Sequence, residues 1–560
     1  MPQARLILDY VYEHEQGRRD QVFLTQPVGG GQVVDYSWGQ MMDQARRMAA
    51  HLKAQGFAPG SRIAILSKNC AHFFMAELAI WMAGYTTVAL YPTETGETVR
   101  YVLEHSAASL LFVGKLDTWP QQAGAVPAGL PCIGFPLAPA NNFPSWDHVI
   151  AHTDPVAGRP TRAGADLALI AYTSGSTGQP KGVMHNFEHV TRATQGLVEA
   201  VNEQMGGADH ARRVLSYLPL PHVVERAWIE CVDLVMGHGH VFFAESLDTF
   251  LQDLQRARPT FFASVPRLWL KFQLGVFSKM SAAKLDRLLR IPVLGKIVGR
   301  KVLANLGLDK VLLAGSGSAP IPPALIDWYR RLGLNLLEGY GMTEDFGYSH
   351  ASTEALHAAG HVGAALPGVQ VRIEDDGEVL VKSPGQMVGY YKRPDLDAEV
   401  FTGDGFFRTG DLGERRADGQ LRITGRKKEL FKTAKGKYVA PAPIENRINE
   451  NPFVEMSLVS GAGQQSAYAM VVLAEHLRPR LGDAALRVEI ETELGALLKK
   501  VNAGLVEYER LHMIVVAADP WSVDNGFLTP TMKLKRARIE AAVAPAVAAW
   551  YAAERVVLWA

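Results

Sequence analysis

The segment Tyr172-Thr173-Ser174-Gly175-Ser176-Thr177-Gly178-Gln179-Pro180-Lys181-Gly182 has residue types that read directly as chemistry. Closely spaced glycines let backbone N–H groups approach phosphate oxygens, and Thr173, Ser174, Ser176 and Thr177 add O–H donors. Lys181 supplies a positive charge at the end of the run. The Walker A pattern GxxxxGK[ST] does not fit. Counted from Gly175, its sixth place holds Pro180 and its eighth Gly182, so this is a phosphate loop of another kind. Just downstream, His185-Asn186-Phe187-Glu188-His189 fits H-x-x-E-H. That pattern places two histidines on one helical face with Glu188 as base, the arrangement of a zinc peptidase. The match is short and no third ligand is placed.

Composition narrows the classes. The 560 residues are 48% apolar and 20% charged, with 57 basic against 57 acidic side chains. There is ample material for a large core, and no surplus of positive charge to drive nucleic-acid binding. Cys70, Cys132 and Cys231 are far apart and odd in number, which suits a reducing cytoplasm rather than a disulfide framework. Asp9 interrupts any signal-peptide run. The longest apolar stretches, Leu78 to Tyr91 and Ala541 to Ala553, fall short of the ~20 residues a spanning helix needs. The expectation is a cytoplasmic protein, with peripheral contact to the inner membrane face and a homodimer left open.

The elements that must position the loop follow from periodicity. Ser37 and Gln40 form a capping-box signature before the helical period Met41, Ala45, Met48, Ala49, Leu52. Arg62 to Leu66 and Thr86 to Leu90 read as strands around a helix from Ala71 to Ala83, and further strands are expected at Leu167–Tyr172, Val214–Leu218, Thr260–Ser264 and Val311–Ala314. This alternation predicts an α/β fold of layered parallel sheets with helices. After about residue 365 the character changes. Hairpins are expected around Asp376-Gly377 and Asp418-Gly419, forming a small β-rich subdomain. Gly425-Arg426-Lys427-Lys428 is a basic break, and a smaller α+β unit runs from there to the end.

The loop at Tyr172–Gly182 resembles the signature of the adenylate-forming (AMP-binding) enzymes, and further segments follow in that family's order: Leu218-Pro219-Leu220-Pro221-His222, Gly317-Ser318-Ala319-Pro320, Gly339-Tyr340-Gly341-Met342-Thr343-Glu344, Thr409-Gly410-Asp411, Gly425-Arg426-Lys427-Lys428, and Lys533. The resemblance spans roughly residues 35 to 540. It implies a large domain over 1–425, a hinge at 426–428 centred on Lys428, and a mobile small domain over 429–560. It implies ATP, Mg²⁺ and coenzyme A. Gly317 to Pro320, Gly339, Tyr340 and Gly341 would border adenine, with Tyr340 stacking on it. Thr343 would donate to the α-phosphate, and Glu344 would offer an oxygen to Mg²⁺ with Thr173 behind it. Asp411 would accept the two ribose hydroxyls and share the ribose with the forked donor Arg426. Lys533 and His222 would be catalytic, because a carboxylate attacking a phosphate brings two anions together and a cation offsets their repulsion.

Within that family, Leu528 to Arg536, Arg426 to Thr433, Tyr438 to Pro441, and His222 with Glu225 and Arg226 resemble the long-chain fatty acyl-CoA synthetases. The implied reaction joins a long-chain fatty acid to coenzyme A through acyl-AMP, with Lys432, Lys435 and Gly436 on the coenzyme A side and Trp269 gating the acyl tunnel. An ordinary core tryptophan is the alternative for Trp269. Lys435 stands where glycine is more usual and Pro221 replaces a usual alanine, so a fatty acyl-AMP ligase serving a carrier protein is the second reading. Without the long N-terminal anchor of the eukaryotic members it resembles, the expectation is a compact, bacterial form.

Overall fold

A computed structural model describes residues 5–173, 179–207, 210–529 and 532–560. Its central layer is a seven-stranded sheet ordered Gly389–Tyr390, Lys181–Asn186, Leu167–Thr173, Thr86–Leu90, Arg62–Leu66, Ala108–Val113, Cys132–Gly134. The strands from Leu167–Thr173 to Cys132–Gly134 are parallel; the other two add antiparallel at one edge. Every residue of Thr86–Leu90 is buried, as expected of a parallel strand covered on both faces. The helix Ala71–Met82 is also buried on all sides, which explains why it is apolar all round apart from His72 and Glu77.

A five-stranded sheet runs Phe261–Ser264, Leu313–Ser316, Leu336–Tyr340, His350–Ala351, Ala364–Ala365, its first three strands parallel. Another sheet joins the hairpin Val22–Gly29/Gln32–Ser37 to His240–Phe243 and Arg213–Ser216. Ser37 caps the helix Trp38–Ala54 through the expected reciprocal bonds with Gln40. Both later hairpins form, pairing Gln370–Ile373 with Glu378–Lys382 and Phe407–Arg415 with Leu421–Arg426 in one antiparallel sheet. The C-terminal part has a core of its own, with Val471, Ile490, Leu494 and Ile514 packed between a four-stranded sheet and the helix Ala484–Ala503. Among the described residues no helix is long and apolar enough to cross a membrane.

The region after the phosphate loop departs from expectation. Lys181–Asn186 is a strand, and the helix begins only at Phe187, capped by the Asn186 side chain accepting from His189 N at 2.8 Å. Gly182 permits this pairing: a Cβ there would meet Ile170 at 2.8 Å. His185 therefore lies in a strand and His189 in a helix, so the H-x-x-E-H spacing does not put them on one helical face. His185 Nε2 instead meets the Thr343 carbonyl at 2.8 Å, and Glu188 pairs with Arg192 at 2.6 Å. The zinc-peptidase reading is dropped on this geometry.

Trp269 lies in the helix Pro266–Phe277 and is 0% exposed. Its indole N–H donates to Gly315 O at 3.2 Å, and its ring packs edge-on against Phe262 and Tyr329. A packed core tryptophan makes these contacts; a gate here would break the Gly315 bond to open. Trp269→Ala is expected to cost about 3–5 kcal/mol of stability. Thermal denaturation beside kinetics for acid and ATP checks this, because an unchanged Tm with an altered KM for long acids alone would establish the gate instead.

Candidate active site

The candidate residues converge where strands of the two main sheets end. Leu313–Ser316 leads into Gly317-Ser318-Ala319-Pro320, and its parallel neighbour Leu336–Tyr340 leads into Gly341-Met342-Thr343-Glu344. The two runs lie side by side, with a Cβ on Gly317 falling 3.3 Å from Gly339 O. Ser318 turns the chain at φ +67°. Crevices at the carboxyl ends of parallel strands are where α/β folds bind ligands.

Asp411 and Arg426 are register partners in the hairpin Phe407–Arg415/Leu421–Arg426. Asp411 Oδ1 accepts from Arg426 Nε and Oδ2 from Tyr340 Oη, each at 2.7 Å. A carboxylate has about four lone-pair sites, so each oxygen keeps one for a further donor. A ribose diol can therefore add to these bonds. Tyr340 is held by its hydroxyl, and burial with Asp411 beside it raises its pKa well above the ordinary tyrosine value.

Glu344 Oε1 accepts from Tyr390 Oη at 2.8 Å, and the Lys181 ammonium lies 5.1 Å from the same tyrosine ring. Tyr390 thus links the phosphate-loop lysine to the carboxylate suited to a hard cation. His222 Nδ1 accepts from Val224 N at 3.2 Å, which leaves the ring proton on Nε2. Burial, with Lys533 close by, lowers its pKa to about 3, so His222 is a neutral donor rather than a cation.

Lys533 comes from the other side of the cleft. Its backbone is tied to Thr529: Thr529 N donates to Lys533 O at 2.8 Å and Lys533 N to Thr529 Oγ1 at 3.0 Å, with Met532 at φ +63°. Its ammonium is within electrostatic reach of Arg426, Asp411, Glu344 and Glu429. Burial and then Arg426 lower its pKa, which favours loss of the proton; the three carboxylates oppose that.

Beneath His222 lies a buried polar network. Glu225 Oε1 accepts from Ser216 Oγ at 2.6 Å, Tyr217 N at 3.1 Å and Asn69 Nδ2 at 3.2 Å. Asn69 also donates to Leu218 O at 2.7 Å and accepts from Leu220 N at 3.1 Å. Arg226 Nε donates to Leu220 O at 3.1 Å, and the guanidinium pairs with Glu77 and, at 3.7 Å, Glu230. Side chains thus satisfy the backbone of the loop that presents His222. Arg226 opens a π-helical turn, Arg226–Cys231, a distortion common at functional sites.

The structure brings Lys533 within electrostatic reach of Arg426, Asp411, Glu344 and His222; Tyr390 links Glu344, in one turn with Thr343, to Lys181, and Thr173 is in register with Lys181. Ser174, Gly175, Ser176, Thr177 and Gly178 lie outside the described residues. Lys432, Lys435 and Gly436 form an exposed hairpin whose backbone bonds run to Lys437, Gly463 and Gln464. Trp269 is in the core described above. Tyr390 and Asn69 were missed from sequence. Tyr390 had a signal in Gly389-Tyr390-Tyr391, an aromatic pair too short to read as a strand. Asn69 had none, since its partners are ~150 positions away.

The chain belongs to the AMP-binding enzyme family: residues 11–391 match the AMP-binding enzyme family and residues 429–555 its C-terminal domain. Among curated relatives it is 30% identical to the long-chain-fatty-acid–CoA ligase FadD15 of Mycobacterium bovis, over 94% of each chain. It is 29% identical to human long-chain-fatty-acid–CoA ligase 1, over 89% of this chain and 80% of that one. Its fold matches the A-PCP didomain of the Segniliparus rugosus carboxylic acid reductase in complex with AMP, with TM-score 0.82 and 23% identity over 99% of this chain and 83% of that one. The anthranilate CoA ligase AuaEII in complex with anthranoyl-AMP matches with TM-score 0.78 and 19% identity, over 98% and 99%.

Burial pushes the Glu225 carboxyl up to about 8, against an ordinary value of 4.5. A raised folded-state pKa contributes stability that is full below the unfolded pKa and lost as pH rises through the folded one. The Glu225 contribution is therefore present at pH 4.5 and lost by about pH 8. Glu225→Gln keeps the Oε1 acceptor without the charge. Its Tm relative to the native protein is expected to improve from pH 5 to about pH 8 and to level off above it, and calorimetry from pH 5 to pH 9 checks the sign.

Proposed function

We propose that the protein is an ATP-dependent acid:coenzyme A ligase acting on long-chain fatty acids. A carboxylate oxygen attacks the α-phosphorus of ATP, the bond to pyrophosphate breaks, and acyl-AMP forms. The coenzyme A thiol then gives up its proton and attacks the acyl carbon, and AMP leaves with the electron pair of the broken C–O bond. The observation that carries this reading is Lys533, a C-terminal cation facing Asp411, Glu344 and His222 across the cleft. On this reading its charge offsets the repulsion between the two anions that the first step must bring together. Neutral His222 adds a donor without adding charge.

Glu344 fits Mg²⁺ by its chemistry: an oxygen donor oriented by Tyr390, whose ring also lies 5.1 Å from the Lys181 ammonium. When bound, the ion would neutralise phosphate charge. The names of the curated relatives support the long-chain acid. Transfer to a carrier protein is the second reading, favoured by the charged Lys435 at the tip of the exposed hairpin. Pyrophosphate release over a panel of short to long fatty acids, with and without coenzyme A, tests both. Turnover is expected to rise with chain length and to require coenzyme A; release indifferent to coenzyme A points to the carrier.

Lys533→Ala is expected to depress acyl-adenylate formation by two or more orders of magnitude, about the contribution of a lost electrostatic stabiliser. Thioester formation from supplied acyl-adenylate should suffer far less. Equal loss in both halves would remove Lys533 from the assigned role.

We place the domain hinge at 426–428. Arg426 is tied to Asp411, and Lys427 to Asp376 at 2.6 Å and Glu378 at 3.2 Å, whereas Lys428 makes no side-chain hydrogen bond or ion pair among the described residues. The first residue beyond those anchors is where rotation is cheapest. Lys428→Pro fixes φ and removes a donor. Adenylation is expected to survive better than thioesterification, measured as separate half-reactions; loss of adenylation alone would reject the pivot.

A further inference from the structure

The connection between the helices Ala282–Leu289 and Leu294–Asn305 holds large apolar side chains in water. Val293 is 71% exposed, Ile297 58%, Ile291 45% and Leu294 40%. The backbone fixes them there. Leu294 N donates to Pro292 O at 2.7 Å across a three-residue turn with Val293 at φ +68° and ψ −57°. That is the γ-turn conformation that is rare and strained, more so for a β-branched residue.

The opposite side of the second helix is committed to the fold. A Cβ on Gly295 would meet Leu289 O at 2.4 Å, and one on Gly299 would meet Leu332 O at 2.5 Å. Leu303 continues that buried line. With 295, 299 and 303 facing inward, Leu294, Ile297 and Lys301 face outward by helical geometry.

Charge gathers around the apolar tip. Between 282 and 301 the chain carries six basic residues, Lys284, Arg287, Arg290, Lys296, Arg300 and Lys301, all exposed. Asp286 is the one acidic residue there, and it is bonded to Arg331 at 3.0 Å. In a chain of zero formal charge this is a concentrated positive patch.

We propose that the 282–301 hairpin docks on an anionic phospholipid bilayer. Ile291, Val293, Leu294 and Ile297 enter the headgroup–acyl boundary while the surrounding lysines and arginines meet lipid phosphates. A bilayer rewards both features at once. A second copy of this chain would press one positive patch on another, and a nucleic acid would leave the apolar tip unrewarded. The surface stands on the hairpin alone and does not depend on which acid the active site takes.

The full-length protein is sedimented with vesicles of phosphatidylcholine mixed with phosphatidylglycerol, and with vesicles of phosphatidylcholine alone. Binding is expected to the mixed vesicles, weakening as salt rises. Replacing Lys296, Arg300 and Lys301 with Gln should lower it by about tenfold or more. The combined Ile291→Ser, Val293→Ser, Ile297→Ser variant should lose it, with Tm checked beside the native protein. Val293→Asp, at the most exposed position, guards against misfolding and should also abolish binding. Unchanged binding of folded variants, or no binding of the native protein, overturns the proposal. So does light scattering that shows the variants dissociating a dimer while the native protein ignores vesicles.

Discussion

A guanidinium buried among carboxylates is the constraint on which the wall carrying His222 depends. Arg226 sits between Glu77 and Glu230 and against the ring of Phe73, all inside the core. Such a cluster gains little net stability over apolar packing, but removing one partner leaves a buried charge uncompensated, at roughly 3–5 kcal/mol. The arrangement is therefore hard to leave once formed. It ties the buried helix Ala71–Met82 to the π-helical turn and, through Leu220 O, to the loop that ends at His222. The placing of His222 is inherited from that core.

The opposite wall of the cleft is held differently. Arg267 beside the core tryptophan pairs with Glu455 of the C-terminal part, and Glu455 is shared with Arg478. Lys535 faces Glu94, whose carboxyl burial pushes up to about 7. The Arg267–Glu455 contact is partly solvent-accessible, and such pairs contribute at most about 1 kcal/mol each. A rigid wall carrying His222 thus meets a partner retained in part by cheap charge contacts. On the proposed reading, such contacts let a small domain present Lys533 in one step and withdraw it in the next.

What could be read from the sequence follows the range of the interactions involved. Strands such as Arg62–Leu66 and Thr86–Leu90, and the two hairpins at Asp376-Gly377 and Asp418-Gly419, show in local pattern because burial and turn chemistry act over a few residues. The strand Lys181–Asn186 did not show, since its pairing depends on Gly182 meeting Ile170 and Tyr391 from other elements. The hairpin Val22–Gly29/Gln32–Ser37 turns at Gly29, Gly30 and Gly31, all at positive φ, but its second strand is mostly exposed and carries little burial pattern. Of the site, Glu344, Asp411 and Lys533 were legible as motif positions. The network that fixes His222 was not, because Asn69 reaches Leu218 and Leu220 from another layer.

The proposed ribose acceptor Asp411 and the start of the proposed hinge, Arg426, belong to one hairpin. Asp411 and Arg426 face each other in register, and Gly410 N and Lys427 Nζ both bond to the buried Glu378. Any donor that takes the remaining lone pairs of Asp411 competes with or reinforces its bonds to Arg426 and Tyr340. Arg426 is half-exposed and is the last residue before the turn that leads to Lys428. If nucleotide binds at Asp411 as proposed, its binding and the orientation of the following domain share one guanidinium. On the proposed reading, that shared group lets the chemistry at the α-phosphate and the rotation that follows it stay in step without a separate sensor.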